Sequence, residues 1–155
     1  MAGTKKDNRL GELLDMERLQ TLQDNLAKAL GLAFVTVDYR GRPVTRPSGF
    51  THFCSCMRDH EHYGTLCNQC YAHGGLHATM EGKPYIYRCH GGLVEFAVPL
   101  MMDGTYLGAV MGGQCDLIPN FYIFVMYYLT KLNHYEKTLH ILNAVRHGSI
   151  INIKC

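Results

Sequence analysis

No part of this sequence concentrates charge of one sign. Lys and Arg number 15 against 13 Asp and Glu, a formal charge of +2 at pH 7. With no basic block, broad electrostatic binding to nucleic acid is not expected of this chain. Long hydrophobic runs are missing too. The most apolar stretch, LIPNFYIFVMYYL at 117–129, is too short to cross a bilayer and contains Asn120, so it reads as a buried helix and no membrane contact is expected. Lys5, Lys6 and Asp7 are not followed by the apolar core of a signal peptide, which points to the cytoplasm. There is no Gly-rich phosphate loop: the HGG and GGQ triplets lack the required lysine or G-x-G-x-x-G context, which weighs against a nucleotide enzyme. Internal repeats and low-complexity segments are absent as well.

What is present suits one folded domain. Of the 155 residues, 47% are apolar and 18% charged, enough for a substantial core. Disorder is expected only in the tail 1–8, and residues 9–155 read as a single domain. Leu13, Leu14, Met16, Leu19, Leu22, Leu26 and Leu30 recur at steps of three and four, which predicts one amphipathic helix from Leu10 to Leu30 stopped by Gly31. Its stripe would pack on the domain's own sheet or pair across a homodimer. Residues 32–45 read as a strand, a turn at Gly41 and a second short strand, and 46–50 as a loop. Short helices are expected at Thr51–His62 and, after Gly64, at Cys67–Met80, where Gly74 and Gly75 weaken the pattern. Strands follow at Tyr85–Arg88, Leu93–Met102 and Tyr106–Met111. Asp103-Gly104 is a strong hairpin signal, and Gly91-Gly92 and Gly112-Gly113 are expected to end strands. Helical spacing returns at 119–147. The fold class that follows is α+β: a PAS-like antiparallel sheet of about four or five strands with helices flanking it at both ends.

Four blocks in order, SGFTHFC (48–54), CNQCYAHGGLHA (67–78), KPYIYRCHGGLVEFAVPL (83–100) and DGTYLGAVMGGQ (103–114), resemble the successive motifs of the PocR sensory domain. The resemblance covers about 10–115. It implies a sensory domain of prokaryotic signal transduction or transcription regulation with a PAS-like fold, placed upstream of helix-turn-helix modules or histidine kinases. It also implies a small organic ligand, a simple hydrocarbon derivative such as a diol. The sequence after Cys115 does not obviously continue the motif pattern, and no helix-turn-helix is evident there.

The chemistry-bearing residues gather in mid-chain. Five of the seven cysteines lie between 54 and 89, and five of the nine histidines between 60 and 90. In a reducing compartment clustered thiols are more often metal ligands or redox groups than disulfides. Cys67-x-x-Cys70 has the spacing for one metal ion. With Cys54 and Cys89 it would suit zinc or an iron–sulfur cluster; buried or pocket-lining thiols are an alternative of similar weight, and a redox pair a lesser one. His73 and His90 each precede Gly-Gly, which lets backbone approach a guest. Phe50, Phe53, Tyr85, Tyr87 and Phe96 are candidates for apolar walls, and Arg58, Tyr87, Glu95 and Gln114 for the few fixed polar groups that a small-molecule site needs. His60, His62 and His77 read as surface residues. Tyr85 and Tyr87 share one strand face and Ile86 and Arg88 the other, so at most one pair is buried. An enzyme is not expected: no oxyanion-hole signature is visible, and Cys89 and His90, as strand neighbours, point apart. The sensor reading requires that Cys54, Cys67–Gly75 and Cys89–Gly92 converge on one enclosed spot.

Overall fold

A computed structural model describes residues 9–115; the tail expected at 1–8 and the helical segment expected at 119–147 lie outside the described residues. Residues 10–30 form two helices rather than one. α1 (Arg9–Leu13) gives way to α2 (Met16–Leu30) at Asp15, which is extended and whose carboxylate accepts the Arg18 backbone N–H at 3.1 Å. An N-cap restarts a helix, and the apolar spacing ran straight through it. Gly31 ends α2 in the left-handed conformation, as expected.

The side of α2 that meets the core also differs from the apolar pattern. Leu19 and Ala27 are buried beside Gln20 and Gln23, whereas Leu22, Leu26 and Leu30 are 36–39% exposed. Hydrogen bonds explain the inversion. The Gln23 carbonyl oxygen accepts from the Thr36 and Thr45 hydroxyls at 3.1 and 2.7 Å, and its amide donates to the Arg46 carbonyl at 2.8 Å and the Ser48 hydroxyl at 2.7 Å. Gln20 accepts the Arg46 backbone N–H at 2.8 Å. A buried amide with every valence filled incurs little desolvation penalty. Gln23→Leu follows the helix's apolar rhythm yet is expected to destabilise the domain by about 2–4 kcal/mol, because it leaves the buried Thr36 and Thr45 hydroxyls without their acceptor. An unchanged urea midpoint would show that apolar packing serves equally well there.

β1 (Ala33–Asp38) is buried almost throughout. The second strand expected after Gly41 is reduced to isolated bridges, Val37 with Pro43 and Phe34 with Ser48, because Pro43 and Pro47 lack the N–H that a ladder needs. α3 (His52–Asp59) and α4 (Glu61–Glu81) follow. β2 (Tyr85–Arg88), β3 (Val94–Met102) and β4 (Thr105–Cys115) complete an antiparallel sheet ordered β1-β4-β3-β2. Asp103 and Gly104, both at positive φ, make the tight turn between β3 and β4. The architecture is α+β, an open four-stranded antiparallel sheet among the described residues, consistent with a PAS-like domain.

Gly112-Gly113 does not end β4. Gly112 pairs with Phe34 on one side and Phe96 on the other, and those two rings meet edge-to-face at 5.8 Å. A Cβ on Gly112 would strike the Phe96 ring. The glycine is a saddle for an aromatic pair.

One sheet face carries Val35, Val37, Ala97, Ala109 and Met111 beneath Tyr71 and Ala78 of α4. The opposite face packs Leu100, Leu107, Phe34 and Phe96 against α1 and α2. α4 begins before Gly64 rather than after it and absorbs all three of its interior glycines. Gly74 lies against the Tyr87 ring and Gly75 against the Tyr106 hydroxyl, where any side chain would collide. The missing side chains let the helix settle close to the sheet, which builds the wall of the site.

Candidate ligand-binding site

The three remote stretches meet. α3, α4 and the turn between β2 and β3 enclose a pocket lined by Cys54, Arg58, Cys67, Cys70, Tyr71, Cys89, His90 and Glu95, with Phe53 and Met57 at its apolar side. Each contribution has a local cause. Thr51 caps α3 by accepting the Cys54 N–H at 3.2 Å, and this orients Cys54, Met57 and Arg58. On α4, Cys67, Cys70, Tyr71 and Gly74 fall at i, i+3, i+4 and i+7, one helical face. The β2–β3 turn closes with the Cys89 N–H donating to the Leu93 carbonyl at 2.9 Å, which places Cys89, His90 and Gly91 over the opening.

Glu95 forms the floor. It is 4% exposed and stands opposite Tyr87 in the β2–β3 ladder; the Tyr87 hydroxyl donates to its Oε2 at 3.1 Å. Burial pushes the Glu95 carboxyl up to about 7, although the Tyr87 hydrogen bond and the Arg58 charge pull it down. Burial likewise raises the Cys54, Cys67 and Cys89 thiols and the Tyr71 and Tyr87 phenols. Arg58 has its guanidinium over the Tyr71 ring at 4.4 Å and the Phe50 ring at 5.8 Å. Its Nη1 donates to Asn68 Oδ1 at 3.2 Å, but its Nη2 is buried without a hydrogen-bond partner. The free space is only about 20 Å³, room for a water-sized occupant. A larger guest needs the lining to give way, and Phe53, 49% exposed, is the most exposed large apolar side chain in it.

The candidates from sequence divide accordingly. Phe53, Arg58, His90 and Glu95 line the pocket. Tyr87 acts on it through Glu95, and Phe50 through Arg58. His73 and Gln114 lie elsewhere. The exposed His73 ring heads an aromatic row: 4.5 Å to His77, which stacks on Tyr85 at 4.7 Å, which stacks on Tyr87 at 5.7 Å. That row half-buries His77, contrary to the expectation for it; His60 and His62 are exposed as expected. Gln114 is buried, and its carbonyl accepts from the Thr51 N–H and hydroxyl at 3.0 and 3.3 Å, so it fastens the start of α3. Tyr85 and Tyr87 face α4, while Ile86 joins the cluster behind the sheet.

Cys54, Cys67, Cys70 and Cys89 share the pocket wall, all half-buried and unpaired. Among the described residues, however, no three His, Cys, Asp or Glu side chains are grouped so as to hold a metal ion. The wall splits them between α3, one face of α4 and the turn, and Cys67 meets His90 instead, Sγ to Nε2 at 3.2 Å. Two features escaped the sequence reading. Tyr71 was signalled by its helical spacing from Cys67. The Cys67–His90 contact was not signalled, because it depends on the docking of the turn over α4. No helix among the described residues is long and apolar enough to cross a membrane.

The family described as "Sensory domain found in PocR" matches residues 12–150 of this chain, well past the point at which the motif blocks stop. The regulatory protein PocR of Salmonella typhimurium is 38% identical over 104 residues, covering 67% of this chain. The match takes in 34% of that relative, so the similarity spans about a third of its length.

Proposed function

The chain belongs to the family of PocR sensory domains, and on that premise we propose that it senses a small hydroxyl-bearing hydrocarbon derivative, such as a simple diol, in the pocket between α3, α4 and the β2–β3 turn. The domain binds its guest without turning it over, and serves transcription regulation or a related signalling output. The observation that carries this reading is one idle donor and one buried acceptor lining the same largely apolar and thiol-lined space: Arg58 Nη2 has no partner, and the Glu95 carboxyl lines the same pocket. One hydroxyl of a diol would donate to Glu95 and the other accept from Arg58. Entry would swing Phe53 outward and shift α3 against α4. A ligand biases such an equilibrium only through its different affinity for the two arrangements. The homodimer suggested by the sequence would use the exposed Leu22, Leu26 and Leu30 of α2.

Calorimetric titration with 1,2-propanediol is the direct test. Binding is expected for the native chain, and Arg58→Met is expected to weaken it about 10- to 100-fold through loss of a charge-assisted hydrogen bond. No heat with any two- to four-carbon diol would overturn the reading.

A second reading places zinc or an iron–sulfur group on Cys54, Cys67, Cys70 and Cys89. Their common wall favours it, but the thiols would have to draw together to form a coordination sphere. Metal analysis of anaerobically purified protein, with Cys70→Ser as the comparison, decides it.

A further inference from the structure

We propose that Cys67 is the reactive group of this pocket and takes a small aldehyde in reversible covalent linkage. The inference rests on the pocket's being a small-molecule site and goes beyond it by naming a bond. Three parts of a carbonyl-addition site stand together. The nucleophile is the Cys67 thiol, and the proton carrier is His90, whose Nε2 lies 3.2 Å from the sulfur. Burial keeps this thiol protonated at rest, and a base in hydrogen-bond contact lets it lose the proton as it attacks. The third part is the buried, unpartnered Nη2 of Arg58, which lines the same space and is suited to hold an oxygen on which negative charge develops. An aldehyde supplies the electrophilic carbon and that oxygen, and needs no leaving group.

The step balances within these groups. The Cys67 proton passes to His90 Nε2 as the sulfur lone pair forms the C–S bond. The carbonyl π electrons move to oxygen beside Arg58, and His90 returns the proton to that oxygen. The product is a hemithioacetal. Nothing is oxidised or reduced, and reversal frees the aldehyde. Among the described cysteines Cys56 also touches an imidazole, His52, with Sγ 3.6 and 3.8 Å from its two ring nitrogens. That pair lies on the exposed side of α3, outside the pocket and away from Arg58. It is a built-in control.

The test uses the full chain with carbonyl-¹³C propionaldehyde. A new hemithioacetal carbon signal is expected that disappears in Cys67→Ser. Iodoacetamide footprinting read by peptide mass spectrometry should show the aldehyde protecting Cys67 and not Cys56. His90 is exposed, so His90→Ala leaves the core intact; it should slow adduct formation about 100-fold, the usual contribution of one positioned proton carrier. A signal that survives Cys67→Ser, or equal protection of all thiols, would overturn the proposal. Protection of Cys67 by 1,2-propanediol and propionaldehyde alike, with no new carbon signal, would remove the covalent step and leave the pocket reading standing. Binding of neither compound would remove both.

Discussion

Glu95→Gln is expected to stabilise this domain at pH 8 by about 3 kcal/mol and to flatten its stability profile between pH 4.5 and 7. The carboxyl is held in the folded state near 7 against an ordinary value of 4.5. Between those values the folded chain binds more protons than the unfolded one, so stability falls as pH rises through the window, and the full loss persists above it. Below pH 4.5 both states are protonated and Glu95 contributes nothing. The amide keeps the size and the acceptor for Tyr87 but cannot ionise. Urea unfolding of the two proteins across pH checks this: curves that stay parallel from pH 4 to 8 would show that Glu95 titrates normally. A charge retained at such expense is what a binding site needs, so the stabilised variant should bind 1,2-propanediol less tightly.

The second large effect lies behind the sheet. Phe96→Ala should lower stability by about 3–5 kcal/mol, since it empties a buried aromatic site. Gly112→Ala should also destabilise, by about 1–3 kcal/mol, because its Cβ meets the Phe96 ring. Together they should cost less than the sum: without the ring, the new methyl has space and fills part of the cavity. Thermal or urea unfolding of the four proteins closes the cycle. Strict additivity would mean that the ring does not rest on Gly112.

Where local chemistry decides an element, the residues announced it. Tyr85–Arg88, the turn at Asp103-Gly104 and the cap at Gly31 follow from β-formers, a two-residue turn and left-handed glycine, and each appears at its expected place. The errors arise where a partner far along the chain overrides a local preference. Gly112 looks like a strand breaker until Phe34 and Phe96 close over it. Gly74 and Gly75 look unhelical until β2 and β4 press against them. Leu22, Leu26 and Leu30 look like core until Gln23 finds Thr36 and Thr45. For the site, the motif blocks take in most of the pocket lining but not Met57 or Arg58, and half of the proposed ligand contacts line the pocket. Gln114 and His73 sit in those same blocks outside the pocket lining, one on Thr51 and the other on His77, and spacing alone does not separate the two placements.

The latch at Gln23 has one more implication. Greasy interfaces let a helix slide or roll in small steps, trading one contact for a similar one. Directional bonds to Thr36, Thr45, Arg46 and Ser48 resist such creep, because each weakens as its length and angle leave the optimum. This contact therefore holds the register and roll of α2 on the sheet more tightly than apolar packing would.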